Sequence, residues 1–256
     1  MDWQEIGGNW VLIPRYPKAI VHFLGGAFVA TAPHVTYRML LEDLGRKGYL
    51  VVATPFVNTL DHEAIAKSVL YSFDRTIETL QQQSLVRRRY LPIYGMGHSM
   101  GCKLHLLVGS LFPVERAGNI LISFNNYAAR DAIPLVEQFN LSSSFNVEFT
   151  PSPQKTNAIV AQNYQVRRNL LIQFSNDTID QTDALTQLLQ QRSNLVNAVR
   201  LPGNHLTPLG QDLSWQVGQV FTPWDALGQW FKQEVYRELN QLKSAIFRWL
   251  DPVSPL

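Results

Sequence analysis

A single cysteine, Cys102, is all that the 256-residue chain carries, which excludes an intrachain disulfide framework and a thiolate metal cluster. Charge is scarce too. Charged residues make up 16% and the net charge is +2, so the basic triplet Arg87-Arg88-Arg89 stands alone and nucleic acid is not expected as a partner. No uninterrupted apolar run approaches the roughly 18 residues of a membrane span, and the acidic start MDWQEIGG does not resemble a signal peptide. The expectation is therefore a protein that is not exported, with a cytoplasmic location and no transmembrane segment. There is no internal repeat and no low-complexity tract.

What is present is a rich apolar complement, 46% hydrophobic and 11% aromatic, enough for one sizeable core in an undivided domain spanning 1–256. Short β-branched runs recur: WVLIP (10–14), AIVHFL (19–24), YLVVATPF (49–56), YLPIYGMG (90–97), NILISF (119–124), NLLIQF (169–174) and NAVRL (197–201). Most are apolar on both sides of the pleat, as strands covered on two faces must be. Segments of helical period lie between them, at about 36–47, 61–84, 100–112, 180–192 and 224–250. This alternation predicts an α/β fold with a mainly parallel sheet and helices on both faces. The stretch 125–168, rich in Asn, Ser and Pro, interrupts the alternation and reads as a small lid over the carboxyl ends of the strands.

The stretch YGMGHSMG (94–101) has two competing readings. A dinucleotide-binding G-x-G-x-x-G starting at Gly95 fails, because position 100 is methionine. A nucleophile elbow G-x-S-x-G fits, with Gly97 and Gly101 around Ser99 between a buried strand and a helix. Glycines two before and two after the serine relieve crowding in the turn, and the N–H of Met100 then faces an anion forming beside Ser99. A serine nucleophile needs a base and an orienting acid, in chain order Ser, Asp or Glu, His. Asp177 follows the strand NLLIQF and His205 follows NAVRL, so both are placed to return to Ser99.

Other candidates rank lower. Asp180 is the alternate acid and equally a cap for the helix at 180–192. His62, in TLDHEAIA, is the alternate histidine; His98 and His105 read as packed or surface side chains, and His22 and His34 lie in a strand and a loop. A second oxyanion donor is expected from HFLGGAFVATAP (22–33), where Gly25 and Gly26 let the backbone turn: the N–H of Ala27, with Gly26 next. Cys102 lies past the turn and faces the interior. No cofactor, metal site or phosphate loop is expected.

These residues resemble the α/β-hydrolase superfamily over about 10–250. More narrowly, HFLGGAF, ATPFVNTLDH, GHSMGCKLH, FTPSP and PGNHLTPL resemble a family of such proteins found in cyanobacteria and plant chloroplasts, which brings no substrate with it. The resemblance implies a Ser99–Asp177–His205 triad, an eight-stranded sheet and the lid at about 125–168. One departure is the oxyanion loop, where Leu24-Gly25-Gly26 replaces the usual His-Gly pair.

The leading expectation is a serine hydrolase cleaving an ester or thioester through an acyl-enzyme. Apolar residues in the lid (Ile133, Leu135, Val136, Phe139, Leu141, Phe145) favour an acyl or lipid-like substrate. Acyl transfer on the same triad is one alternative. Another is a non-catalytic binding or assembly module, motivated by the C-terminal segment. There Leu227, Phe231, Val235, Leu239, Leu242 and Ile246 form a core-type stripe, Trp230 falls outside it and Phe247 extends it, which suggests a protein or membrane-surface contact.

Overall fold

The computed structural model describes residues 1–27, 29–86, 90–128, 148–192, 195–209 and 230–251, with the backbone alone for 230–235. Eight strands form one sheet: β1 (Gln4–Ile6), β2 (Asn9–Leu12), β3 (Ala19–Leu24), β4 (Tyr49–Ala53), β5 (Ile93–His98), β6 (Gly118–Ile122), β7 (Arg168–Phe174) and β8 (Leu195–Leu201). Their order is β1-β2-β4-β3-β5-β6-β7-β8. Strand β2 runs antiparallel to β1 and β4, and every pairing from β4 to β8 is parallel.

The expected strands all form; β1 is additional. It pairs with β2 because Gly7 and Gly8 take φ of 60° and 81°, the left-handed pair that a two-residue hairpin needs. The helices are α1 (Pro33–Thr36), α2 (Arg38–Arg46), α3 (His62–Gln82), α4 (Met100–Leu111), α5 (Pro153–Asn163), α6 (Thr182–Gln190) and α7 (Trp230–Leu250). The single helix expected over 36–47 is divided at Tyr37, whose backbone leaves helical geometry (φ −108°, ψ 20°) while its ring enters the core, fully buried. Asp61 caps α3, its carboxylate accepting from the Ala64 N–H at 2.9 Å.

Alternate residues of each strand feed opposite layers. Val21, Phe23, Val51, Met96, Ile120, Ile122 and Ile172 face α2 and α7, where Leu40, Leu44, Leu239, Leu242 and Ile246 close the core. On the other face Leu24 meets α3 and α4, and Leu121 and Leu171 meet α4, α5 and α6. Each fully buried aliphatic side chain of α7 contributes about 1.5–3 kcal/mol. The C-terminal stripe is thus core at Leu239, Leu242 and Ile246, and Phe247 packs half-buried against it. The expectations for Leu227 and the side chains of Trp230, Phe231 and Val235 lie outside the described residues.

The stretch read as a lid divides. Residues 129–147, including all the apolar positions invoked for it, lie outside the described residues, whereas α5 belongs to the α/β body. Val160, Tyr164 and Val166 are buried against Cys102, Leu106 and Leu121. The Asn- and Pro-rich composition concealed this helix, which starts on Pro153 with Ser152 as its cap.

Candidate functional site

Ser99 stands between the last residue of β5 and the first of α4, at φ 55° and ψ −118°. For a side chain other than glycine this backbone costs on the order of 1–3 kcal/mol, and the close packing around the turn enforces it. A Cβ at Gly101 would lie 2.1 Å from the Leu24 carbonyl oxygen, and one at Gly97 would lie 2.5 Å from the Cys102 nitrogen. The two glycines therefore let α4 begin directly above β3 and β5.

Asp177 lies past β7 and His205 past β8. The two loops are held together where the Asn176 N–H donates to the Gly203 carbonyl (2.9 Å) and the Ser175 N–H to that of Leu201 (2.9 Å). The His205 turn is braced further, since the Thr207 hydroxyl accepts from the Asn204 N–H and donates to the Glu238 carboxylate on α7. His205 Nδ1 then lies 2.8 Å from Asp177 Oδ2, and His205 Nε2 lies 3.0 Å from Ser99 Oγ. Asp177 can only accept, so Nδ1 carries the proton and Nε2 is left to accept from the serine hydroxyl. Burial pushes the Asp177 carboxyl upward; the hydrogen bond and charge of His205, helped by Ser123 and the Ile179 N–H, outweigh it and hold the group below its ordinary range.

Behind these residues runs a buried polar chain. The Gly26 N–H donates to the Tyr37 hydroxyl (2.9 Å), Tyr37 donates to His98 Nδ1 (2.8 Å), and His98 Nε2 donates to the His205 carbonyl (2.9 Å). With His98 neutral, only one set of proton positions satisfies all three bonds, because the two ends are a fixed donor and a fixed acceptor. Burial, with His205 adding to it, pushes His98 down to about 3 and so keeps it neutral. The reading of His98 as merely packed understated it: it ties the Gly25-Gly26 loop to the His205 loop. The Gly26 donor, expected as second choice, is already committed to Tyr37, which leaves Ala27 as the candidate in that loop beside Met100 at the first position of α4.

Among the described residues, no hydrogen bond joins the alternates to Ser99, His205 or Asp177. Asp180 accepts from the Thr182 N–H at 2.5 Å just ahead of α6, whose cap position is Gln181, and its carboxyl feels the charges of Asp177 and His205. His62 stacks on Phe149 with ring centroids 4.3 Å apart and is pushed down to about 3, by burial first and then by the Lys103 ammonium. His34 stacks on Trp10, and His22 bonds Thr54 and stacks on Phe73. His105 faces the Met96 carbonyl. Cys102 is buried, its thiol donating toward the Gly97 and Ile122 carbonyls, and burial raises it well above its ordinary value.

One residue next to the serine was missed. Asn125 Nδ2 donates to Ser99 Oγ at 3.0 Å. The only signal was the pair Asn125-Asn126 directly after a strand, and asparagine is neither an acid nor a base.

The sheet order, the turn after β5 and the loops after β7 and β8 define the α/β-hydrolase fold. The chain belongs to the family described as "Protein of unknown function (DUF1350)", whose profile matches residues 2–252. No curated protein matches it in sequence. A soluble variant of monoglyceride lipase from Saccharomyces cerevisiae, solved with a substrate analog, is similar in structure, with TM-score 0.61 and 12% identity over 100% of this chain and 96% of that one. An α/β serine hydrolase without lid from Xanthomonas campestris gives 0.54 and 15% over 100% and 95%. The fluorophosphonate-binding serine hydrolase F of Staphylococcus aureus gives 0.54 and 16% over 91% and 92%. At such identities the likeness establishes the fold. No described helix is long and apolar enough to cross a membrane.

Proposed function

We propose that this protein is a serine hydrolase that cleaves a carboxylic ester or thioester, with an acyl or lipid-like substrate. The observation that carries the reading is the continuous chain Ser99 Oγ–His205–Asp177, with separations of 3.0 and 2.8 Å, on a serine held at positive φ. Ser99 attacks the substrate carbonyl as His205 Nε2 takes its proton, and Asp177 steadies the imidazolium. The N–H groups of Met100 and Ala27 receive the oxyanion. The tetrahedral adduct collapses, His205 returns the proton to the departing oxygen or sulfur, and water releases the acyl group by the same steps. The monoglyceride lipase neighbour supports the substrate class by analogy of fold.

A biotinylated fluorophosphonate is expected to label the wild type and not Ser99→Ala, with p-nitrophenyl butyrate hydrolysis lost in the same variant. A folded wild type that does not label would overturn the proposal and favour a non-catalytic module. Conversion of p-nitrophenyl butyrate with added alcohol mainly into a new ester would reassign the reaction to acyl transfer.

A further inference from the structure

We infer that Asn125 is a catalytic residue of this site, its side-chain amide stabilising charge on the Ser99 oxygen; the inference rests on the hydrolase reading above. The Ser99 hydroxyl has one proton, and His205 Nε2 lies 3.0 Å away to receive it. The Oγ lone pairs are then left to accept, and Asn125 Nδ2 lies 3.0 Å away to donate. The amide cannot sit the other way round, since its oxygen would face a lone pair.

The placement is built rather than incidental. Gln181, just before α6, clamps the loop from both sides: its backbone N–H donates to the Phe124 carbonyl at 2.7 Å, and its side-chain oxygen accepts from the Asn126 N–H at 2.6 Å. Asn126, itself buried, donates from Nδ2 to the Pro153 carbonyl (3.0 Å) and to Asn157 Oδ1 (3.1 Å), both on α5. Asn125 thus hangs from a loop pinned to the starts of α5 and α6, and its short side chain has little freedom to leave Ser99.

In acylation the O–H bond of Ser99 breaks toward His205 Nε2 while the Oγ–carbon bond forms, and negative charge passes through Oγ on its way to the carbonyl oxygen. In deacylation water loses a proton to His205, its oxygen bonds to the acyl carbon, the carbon–Oγ bond breaks, and Oγ again bears charge until His205 returns the proton. A donor fixed at Oγ strengthens at both moments, because its acceptor is more negative there than in the resting hydroxyl. The bond therefore favours the transition states over the ground state.

The experiment compares wild type, Ser99→Ala, Asn125→Ala and Asn125→Asp, by fluorophosphonate labelling rate and by steady-state hydrolysis of p-nitrophenyl butyrate. Loss of one such donor is expected to slow labelling and lower kcat roughly 10- to 100-fold with KM nearly unchanged. Asn125→Asp is close to isosteric and keeps the fold, but it presents a carboxylate to Oγ and should be at least as slow. Labelling and kcat at the wild-type level in Asn125→Ala would overturn the inference alone, leaving the Ser99 reading intact. If Asn125→Ala does not fold, a wild-type rate in Asn125→Asp has the same force. A wild type that fails to label removes the hydrolase reading and this inference together.

Discussion

Replacing Tyr37 by phenylalanine removes a single oxygen from the polar chain that joins the Gly25-Gly26 loop to the His205 loop. The ring stays where it is, edge-on to Phe23 with centroids 4.7 Å apart, so packing is conserved. Two buried groups lose their partner together: the Gly26 N–H, bonded at 2.9 Å, and His98 Nδ1, bonded at 2.8 Å. Each unsatisfied buried group costs about 1–3 kcal/mol, so the change should destabilise the fold by about 2–6 kcal/mol. At roughly 2–4 °C per kcal/mol for a chain of this size, that lowers Tm by about 4–24 °C. Urea unfolding followed by tryptophan fluorescence measures the loss directly. His98→Leu added to Tyr37→Phe should cost less than the sum of the two single changes, because each removes the other's partner. With Gly26 released, the adjoining Ala27 donor loses its support, and labelling of Ser99 should slow as well. A Tyr37→Phe protein within about 0.5 kcal/mol of wild type would refute the reasoning, since the hydroxyl would then be shown to satisfy nothing.

Two further outcomes test the architecture around the site. Gly101→Ala places a methyl 2.1 Å from the Leu24 carbonyl oxygen, a contact only a shift of α4 against β3 can relieve; a loss of about 3 kcal/mol or failure to fold is expected from urea unfolding, and wild-type stability would contradict the packing. Acid should destabilise the protein early. Burial depresses His98 and His105 from 6.5 to about 3, so the unfolded chain binds protons that the native state refuses. Their contribution is intact above pH 6.5 and falls as the pH drops toward 3, by roughly 2 kcal/mol per histidine between pH 7 and 5. Urea midpoints that stay constant from pH 7 to 5 would contradict this.

How much of this could be read from the letters differs from residue to residue. Ser99, Gly97 and Gly101 were legible because the turn's crowding dictates residue type within five positions, and the structure gives the contacts that demand glycine. Asp177 and His205 were legible as loop residues after strands whose alternation fixes the sheet. β1 was missed for a local reason, the strength of Gly7-Gly8 as a hairpin turn, and α5 because its capping Ser-Pro resembled loop composition. Tyr37, His98 and Asn125 were not legible as members of the site, and Gly26 was assigned a donor role that Tyr37 already occupies.

The sequence by itself determined the periodicities, and with them the layered α/β architecture, the turn that carries Ser99 and the chain order of its two partners. These depend on interactions within a few residues. Only the tertiary structure decided which polar groups meet. The chain from Gly26 through Tyr37 and His98 to His205, and the bond from Asn125 to Ser99, join residues up to 107 positions apart. No local pattern encodes them, because a hydrogen bond is specified to a few tenths of an ångström by the packing of whole elements.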